Sequence, residues 1–119
     1  MRILLVCIGK CENAYIREFV EYYKKLGVTN ICIFDNNDPD GESFHDVLGD
    51  YISNDFVYVI DYRGRKVCQL SAYQDAWDMF RDKYDWIMFF DCDEFLDIYG
   101  GSLQEFLDSF KDANIIKVN

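Results

Sequence analysis

The sequence of 119 residues has little proline, little histidine and few basic residues. A single proline and 18% aromatic residues argue against a disordered chain. The single histidine, His45, lies in a weak helical pattern and is expected at the surface, and the cysteines lack a metal-site spacing with it, which disfavours a zinc site. Twelve Lys and Arg against 22 Asp and Glu give a formal charge of −10, which disfavours nucleic acid as a partner.

The sequence also lacks long apolar runs. No run could cross a membrane, so no transmembrane segment is expected, and residues 3–8 are too short for a signal peptide. The five cysteines are an odd number, and we expect buried free thiols rather than disulfides. They are Cys7, Cys11, Cys32, Cys68 and Cys92. Free thiols are typical of a reducing compartment and predict a cytoplasmic location. The length predicts one domain over residues 1–119.

Short apolar runs alternate with segments of helical spacing. The runs predict strands that are buried on both faces, at residues 3–8, 31–34, 56–60, 86–90 and 115–118. The predicted helices cover residues 14–26, 43–51, 67–84 and 102–111. An apolar stripe on the third helix is expected to be core, and its members are Leu70, Tyr73, Trp77, Phe80 and Tyr84. This order predicts an α/β fold with a mainly parallel, Rossmann-like sheet and helices on both faces.

Acids follow three of the predicted strands. The fourth strand runs into Asp91, Asp93 and Glu94, and in an extended backbone the two aspartates would share one side while Glu94 faces the other. Two converging carboxylates would repel each other, so we expect a hard divalent cation, Mg²⁺ or Mn²⁺, at Asp91 and Asp93. Glu94 is expected to serve a backbone or basic group. Asp35 and Asp61 should lie along the same edge, with Asp61 only starting a loop.

The glycine-rich loops that bind phosphates are missing. Neither the dinucleotide-binding pattern nor the P-loop pattern occurs. A ligand with phosphates would therefore depend on a metal at Asp91 and Asp93, with donors from the basic turn of Arg63, Arg65 and Lys66 if that turn folds over the same edge. The alternative is that this turn is only solvated.

Residues 9–19, 22–28, 33–37 and 85–96 resemble glycosyltransferases of the family 2-like and family 92-like group with the GT-A fold. The resemblance covers nearly the whole chain, and its most specific part is Asp-x-Asp-Glu-Phe-Leu at residues 91–96. It implies a nucleotide-diphospho-sugar transferase-like fold. It also implies that Asp91 and Asp93 hold Mn²⁺ or Mg²⁺ together with the diphosphate of a nucleotide sugar, a UDP-sugar being favoured.

The resemblance assigns further donor-binding residues. Asp35 would contact the nucleotide base, and Lys10, Cys11 and Glu12 would line its pocket, although the family usually has Asn where Cys11 stands. Gln69 matches a glutamine that enters the long helix. With the basic turn, the candidate donor-binding residues are Lys10, Cys11, Glu12, Asp35, Arg63, Arg65, Gln69 and Asp91.

Enzymes of this group are longer than this chain, so the resemblance implies that the chain is the nucleotide-binding part of a truncated sequence. The site for a saccharide or other hydroxyl acceptor, and the catalytic base, would lie beyond Asn119. Two alternatives stay open. One is a phosphotransferase of the haloacid dehalogenase type, whose Asp-x-Asp also follows an apolar strand. The other is a non-catalytic fragment that pairs with a partner chain or associates with itself through an exposed apolar face.

Overall fold

A computed structural model describes residues 1–113 of the protein. Its four strands form one sheet in the order β3-β2-β1-β4, and each neighbouring pair is parallel. The strands are β1 (Ile3–Gly9), β2 (Asn30–Asp35), β3 (Val57–Asp61) and β4 (Trp86–Phe89). The helices are α1 (Ile16–Leu26), α2 (His45–Ser53), α3 (Gln69–Phe80) and α4 (Leu103–Asp108). The predicted α/β fold is confirmed, whereas the strand predicted at 115–118 lies outside the described residues.

Helices cover both faces of the sheet, which explains why its central strands are apolar without interruption. On β1, Leu5 and Cys7 join the core beneath α1, α2 and α4, whereas Leu4 and Val6 join the core beneath α3. Successive side chains of a strand point to opposite faces, so a strand covered on both sides has no solvent-facing positions.

At the two ends of α1, one boundary follows a local sequence signal and the other does not. Gly27 ends the helix as its position suggests, with a left-handed φ of 110° that favours glycine. Asn is a common N-cap residue, but Asn13, just before this helix, donates from Nδ2 to the carbonyl of Ser43 at 2.9 Å. Tyr15 occupies the N-cap position without a side-chain hydrogen bond. A long-range contact thus replaces the local cap.

The apolar stripe predicted on α3 is partly wrong. Ala72, Ala76 and Phe80 face the sheet, whereas Leu70 and Trp77 are 85% and 48% exposed. The two alanines have short side chains, so the helix backbone can pack close to the sheet at these positions. A stripe chosen by side-chain size misses such a contact. Self-association through an exposed apolar face stays a prediction.

All five cysteines are free thiols, as predicted, and only Cys11 is exposed. His45 is exposed at the start of α2, also as predicted. Within residues 1–113, no helix is both long enough and apolar enough to span a membrane.

An ion pair joins α1 to α2 and makes the stability of the fold depend on pH. Arg17 contacts Asp50 through two hydrogen bonds of 2.9 and 2.8 Å, which lower the pKa of Asp50 to about 2. A carboxyl group with a depressed folded pKa stabilises the fold above its unfolded pKa, and this contribution is lost as the pH falls. The stability advantage of the wild type over Asp50→Asn should therefore shrink between about pH 5 and pH 2.

Urea unfolding of both proteins across this pH range measures that advantage. Asp82→Asn is a suitable control, because Asp82 is exposed and has no ion pair among the described residues. Its effect on stability should not follow the same pH profile. An Asp50→Asn difference that is constant with pH would contradict the prediction.

Candidate active site

The strand order reverses between β1 and β4, and we call the space outside the carboxyl ends of these two strands the crevice. The chain adds β2 and β3 on one side of β1 and then crosses to add β4 on the other side. Ligands of open α/β sheets bind outside the carboxyl ends of strands at such a reversal. The segments that leave β1 and β4, residues 10–12 and 91–94, therefore flank the expected binding position.

The register of the sheet brings the predicted acids to one edge. Gly9 pairs with Asp35, and Asp35 pairs with Asp61. On the other side of β1, the N–H of Phe90 donates to the carbonyl of Val6 at 3.1 Å, immediately before Asp91. Asp61 accepts a hydrogen bond from the N–H of Arg63 at 2.9 Å, which is the loop-starting role expected of it.

The acids after β4 lie in a turn rather than in an extension of the strand. β4 ends at Phe89, and the N–H of Glu94 donates to the carbonyl of Asp91 at 3.0 Å. In return, the N–H of Asp91 donates to Glu94 Oε1 at 2.7 Å. Glu94 therefore serves the backbone, as expected. The expectation that strand alternation orients Asp91 and Asp93 is wrong, because the extended backbone stops before them.

Negative charge is concentrated at this crevice. Burial, Glu94 and Asp93 raise the pKa of Asp91. The pKa of Glu12, which follows β1, is raised by burial and by Asp93, Glu42 and Asp91. No ion pair reaches Asp91 or Asp93 within residues 1–113. The crevice thus joins acids from both strands without a compensating cation from the described part of the chain.

The donor set can be tested against a divalent cation. No group of three or more His, Cys, Asp or Glu side chains that could hold a metal occurs within the described residues. Mg²⁺ in nucleotide sites commonly takes one or two carboxylates and completes its shell with phosphate oxygens and water. Asp91 and Asp93 fit that kind of site, whereas they do not fit a site made of protein ligands alone.

Asp35 and Arg63, both predicted to contact the donor, contact each other. Arg63 donates to Asp35 Oδ2 at 2.8 Å, and its side chain also donates to the carbonyls of Gly41 and Glu42. Asp35 Oδ1 accepts two hydrogen bonds from Asn37. These contacts fasten the loop after β2 to the end of β3. The donor-binding roles of Asp35 and Arg63 stay predictions.

The loop after β1 depends on Asn37, which sequence reasoning missed. The N–H of Cys11 donates to Asn37 Oδ1 at 2.8 Å, and Cys11 adopts a left-handed φ of 58°. Lys10 forms an exposed ion pair with Asp38 at 3.3 Å. The available signal was the run Asp-Asn-Asn at 35–37, because Asn and Asp often hydrogen-bond nearby backbone.

A cavity of about 490 Å³ lies at the same edge, beside the start of α3. Its lining residues are Ile8, Lys10, Asn36, Val67, Cys68, Gln69 and Leu70. Two candidates from distant parts of the sequence, Lys10 and Gln69, thus meet there, and Gln69 donates to the Tyr73 hydroxyl at 3.1 Å. Arg65 is not among the lining residues, and its guanidinium lies 3.9 Å from the ring centroid of Tyr62. Asp91 and Asp93 are not among them either.

The parallel sheet with this topology is a nucleotide-diphospho-sugar transferase-like fold. The sequence model of glycosyltransferase family 92 matches residues 2–119, and the chain belongs to this family. The protein is therefore an enzyme of the transferase kind, with a sugar donor and an acceptor as substrates. This membership confirms the resemblance and disfavours the phosphotransferase alternative. Searches of curated proteins and of solved structures found no match to the chain.

Proposed function

We propose that the protein transfers a sugar from a nucleotide-diphosphate donor to a hydroxyl acceptor, using Mn²⁺ or Mg²⁺ held by Asp91 and Asp93. The observation that carries this proposal is the negative charge at the crevice between β1 and β4. Burial and neighbouring like charges, which together raise the pKa values of Asp91 and Glu12, disfavour the ionised site on its own. A bound cation would remove that penalty.

In this proposal the donor binds across two regions at the carboxyl edge of the sheet. Asp91 and Asp93 hold the cation, which when bound neutralises charge on the leaving diphosphate. The adjoining cavity of about 490 Å³ lies within the usual size range of small-molecule pockets, roughly 300–1,000 Å³. Lys10 and Gln69 offer hydrogen-bond donors there to the nucleoside part. UDP is the nucleotide that we favour. We also propose a cytoplasmic location, because free thiols are typical of a reducing compartment.

The proposal predicts that Asp91→Asn/Asp93→Asn loses metal-dependent nucleotide binding. Neutral amides are poor ligands compared with carboxylates, so the affinity for UDP in the presence of Mn²⁺ should fall by at least about 100-fold. Isothermal titration calorimetry measures both Mn²⁺ and UDP binding. Asp82→Asn removes one exposed negative charge ahead of β4, at the opposite edge of the sheet, and should bind like the wild type.

Three outcomes have distinct meanings. Wild-type protein that binds UDP only with Mn²⁺, together with loss of binding in the double variant, supports the proposal. Equal binding by the double variant contradicts the assignment of Asp91 and Asp93. Wild-type protein that binds neither UDP nor another nucleoside diphosphate in the presence of Mn²⁺ contradicts donor binding by this chain and favours a fragment that only pairs with a partner.

A further inference from the structure

Two tyrosines on α1 form hydrogen bonds to the backbone at the end of the turn of residues 91–94, which we call the acidic turn. The hydroxyl of Tyr23 donates to the carbonyl of Glu94 at 2.8 Å and accepts from the N–H of Leu96 at 2.9 Å. The hydroxyl of Tyr22 donates to the carbonyl of Leu96. Two side chains of one helix therefore satisfy three backbone groups within three residues of the Asp-x-Asp sequence.

Tyr23 lies buried in an aromatic cluster. Its side chain is fully buried, and its ring stacks on Phe95 with centroids 6.4 Å apart. Phe95 also meets Phe19 and Tyr22 edge to face, at 5.9 and 5.0 Å. Burial raises the pKa of Tyr23 to about 12.

The acidic turn is thus fixed at both ends. At its start, the N–H of Phe90 is hydrogen-bonded to the carbonyl of Val6 on β1. At its end, the carbonyl of Glu94 is hydrogen-bonded to the hydroxyl of Tyr23. Between these points, Glu94 closes the turn on the N–H of Asp91. A turn without secondary structure of its own has few other means of keeping two carboxylates in one arrangement.

We infer that Tyr23 is a positioning residue for the metal and diphosphate site, acting through its hydrogen bonds to the backbone at Glu94 and Leu96. The inference rests on the proposed function of Asp91 and Asp93. Residues that orient metal ligands without touching the metal typically contribute 10–100-fold to affinity. Tyr23 does this from another element of the fold.

Tyr23→Phe is the direct test, because it removes the hydroxyl and keeps the ring. We expect the dissociation constant for Mn²⁺, measured by calorimetry in the full chain, to rise about tenfold. The electron paramagnetic resonance spectrum of bound Mn²⁺ should broaden as its ligands become less uniform. Tyr84→Phe is the matched control, since the Tyr84 hydroxyl donates to Asn30 Oδ1 at 2.7 Å, at the start of β2 and away from the crevice.

Both tyrosine variants should lose stability, and only Tyr23→Phe should lose Mn²⁺ affinity. Unchanged Mn²⁺ affinity in Tyr23→Phe, or an equal loss in Tyr84→Phe, would overturn the inference. If Tyr23→Phe does not fold, Tyr22→Phe takes its place: it should weaken Mn²⁺ binding about threefold, and wild-type affinity would overturn the inference equally. If Asp91→Asn/Asp93→Asn loses binding and the tyrosine variants do not, the inference about Tyr23 is wrong and the proposed function is still supported. No effect of the aspartates removes both.

Discussion

Replacing Arg63 with methionine should lower the free energy of unfolding by about 3 kcal/mol, because it leaves a buried carboxylate without its cation. The side chain of Asp35 is 8% exposed and that of Arg63 is 21% exposed, so water screens this pair poorly. The same change removes two hydrogen bonds to the carbonyls of Gly41 and Glu42. Urea unfolding followed by circular dichroism measures the loss.

Two further variants separate charge from side-chain size. Arg65→Met removes a guanidinium that lies over Tyr62 on the exposed side of the same turn, and it should cost under about 1 kcal/mol. Adding Asp35→Asn to Arg63→Met removes the unpaired charge and should recover part of the lost stability. A double variant less stable than Arg63→Met would contradict the electrostatic explanation.

Replacing Phe19 with alanine should destabilise the protein more, by about 4 kcal/mol, because it opens a cavity in a closely packed aromatic cluster. Phe19 is fully buried, and its ring centroid lies 4.9 Å from that of Tyr23 and 5.9 Å from that of Phe95. Thermal and urea unfolding measure the effect. The proposed nucleotide binding should also weaken, because Tyr23 contacts the backbone at Glu94 and Leu96, next to the acids.

Phe110→Ala provides the comparison for Phe19→Ala. Phe110 meets Phe106 edge to face with ring centroids 5.3 Å apart, but it is 39% exposed and lies beyond α4. Its removal should cost roughly 1 kcal/mol, since only part of the side chain leaves a packed environment. Similar losses from the two replacements would show that the aromatic cluster around Phe19 is not closely packed.

The sheet could be predicted from the sequence because its central strands are covered on both faces. Continuous apolar runs then mark the strands directly, and each observed strand lies within a residue or so of its predicted bounds. The helices were harder where a distant contact or a small side chain decides the outcome. Asn13 contacts Ser43 rather than capping α1, and Ala72 and Ala76 take the buried positions that Leu70 and Trp77 were expected to share.

The placement of the acids along one edge of the sheet was predictable from the sequence, and their local geometry was less so. Asp35, Asp61 and Asp91 fall at one edge because parallel strands end together. The turn at residues 91–94 was missed because its closing contact comes from the side chain of Glu94, which a strand pattern does not reveal. The contact of Asn37 with the N–H of Cys11 and that of Tyr23 with the carbonyl of Glu94 were missed because their backbone partners leave no mark in the sequence pattern. A tyrosine on the buried stripe of a helix was the available signal, since a buried hydroxyl needs a partner.

The hydroxyl of Tyr23 bonds to a residue 73 positions further along the chain. Such contacts form only after the intervening segments have been brought together, and the same holds for the pairing of β1 with β4. A partly folded chain in which β1, β2 and β3 have assembled would contain every acid of the site and still lack the crevice. The proposed metal affinity would therefore be a property of the completed fold, and it would report both on the docking of β4 and on the packing of α1 against the turn at residues 91–94.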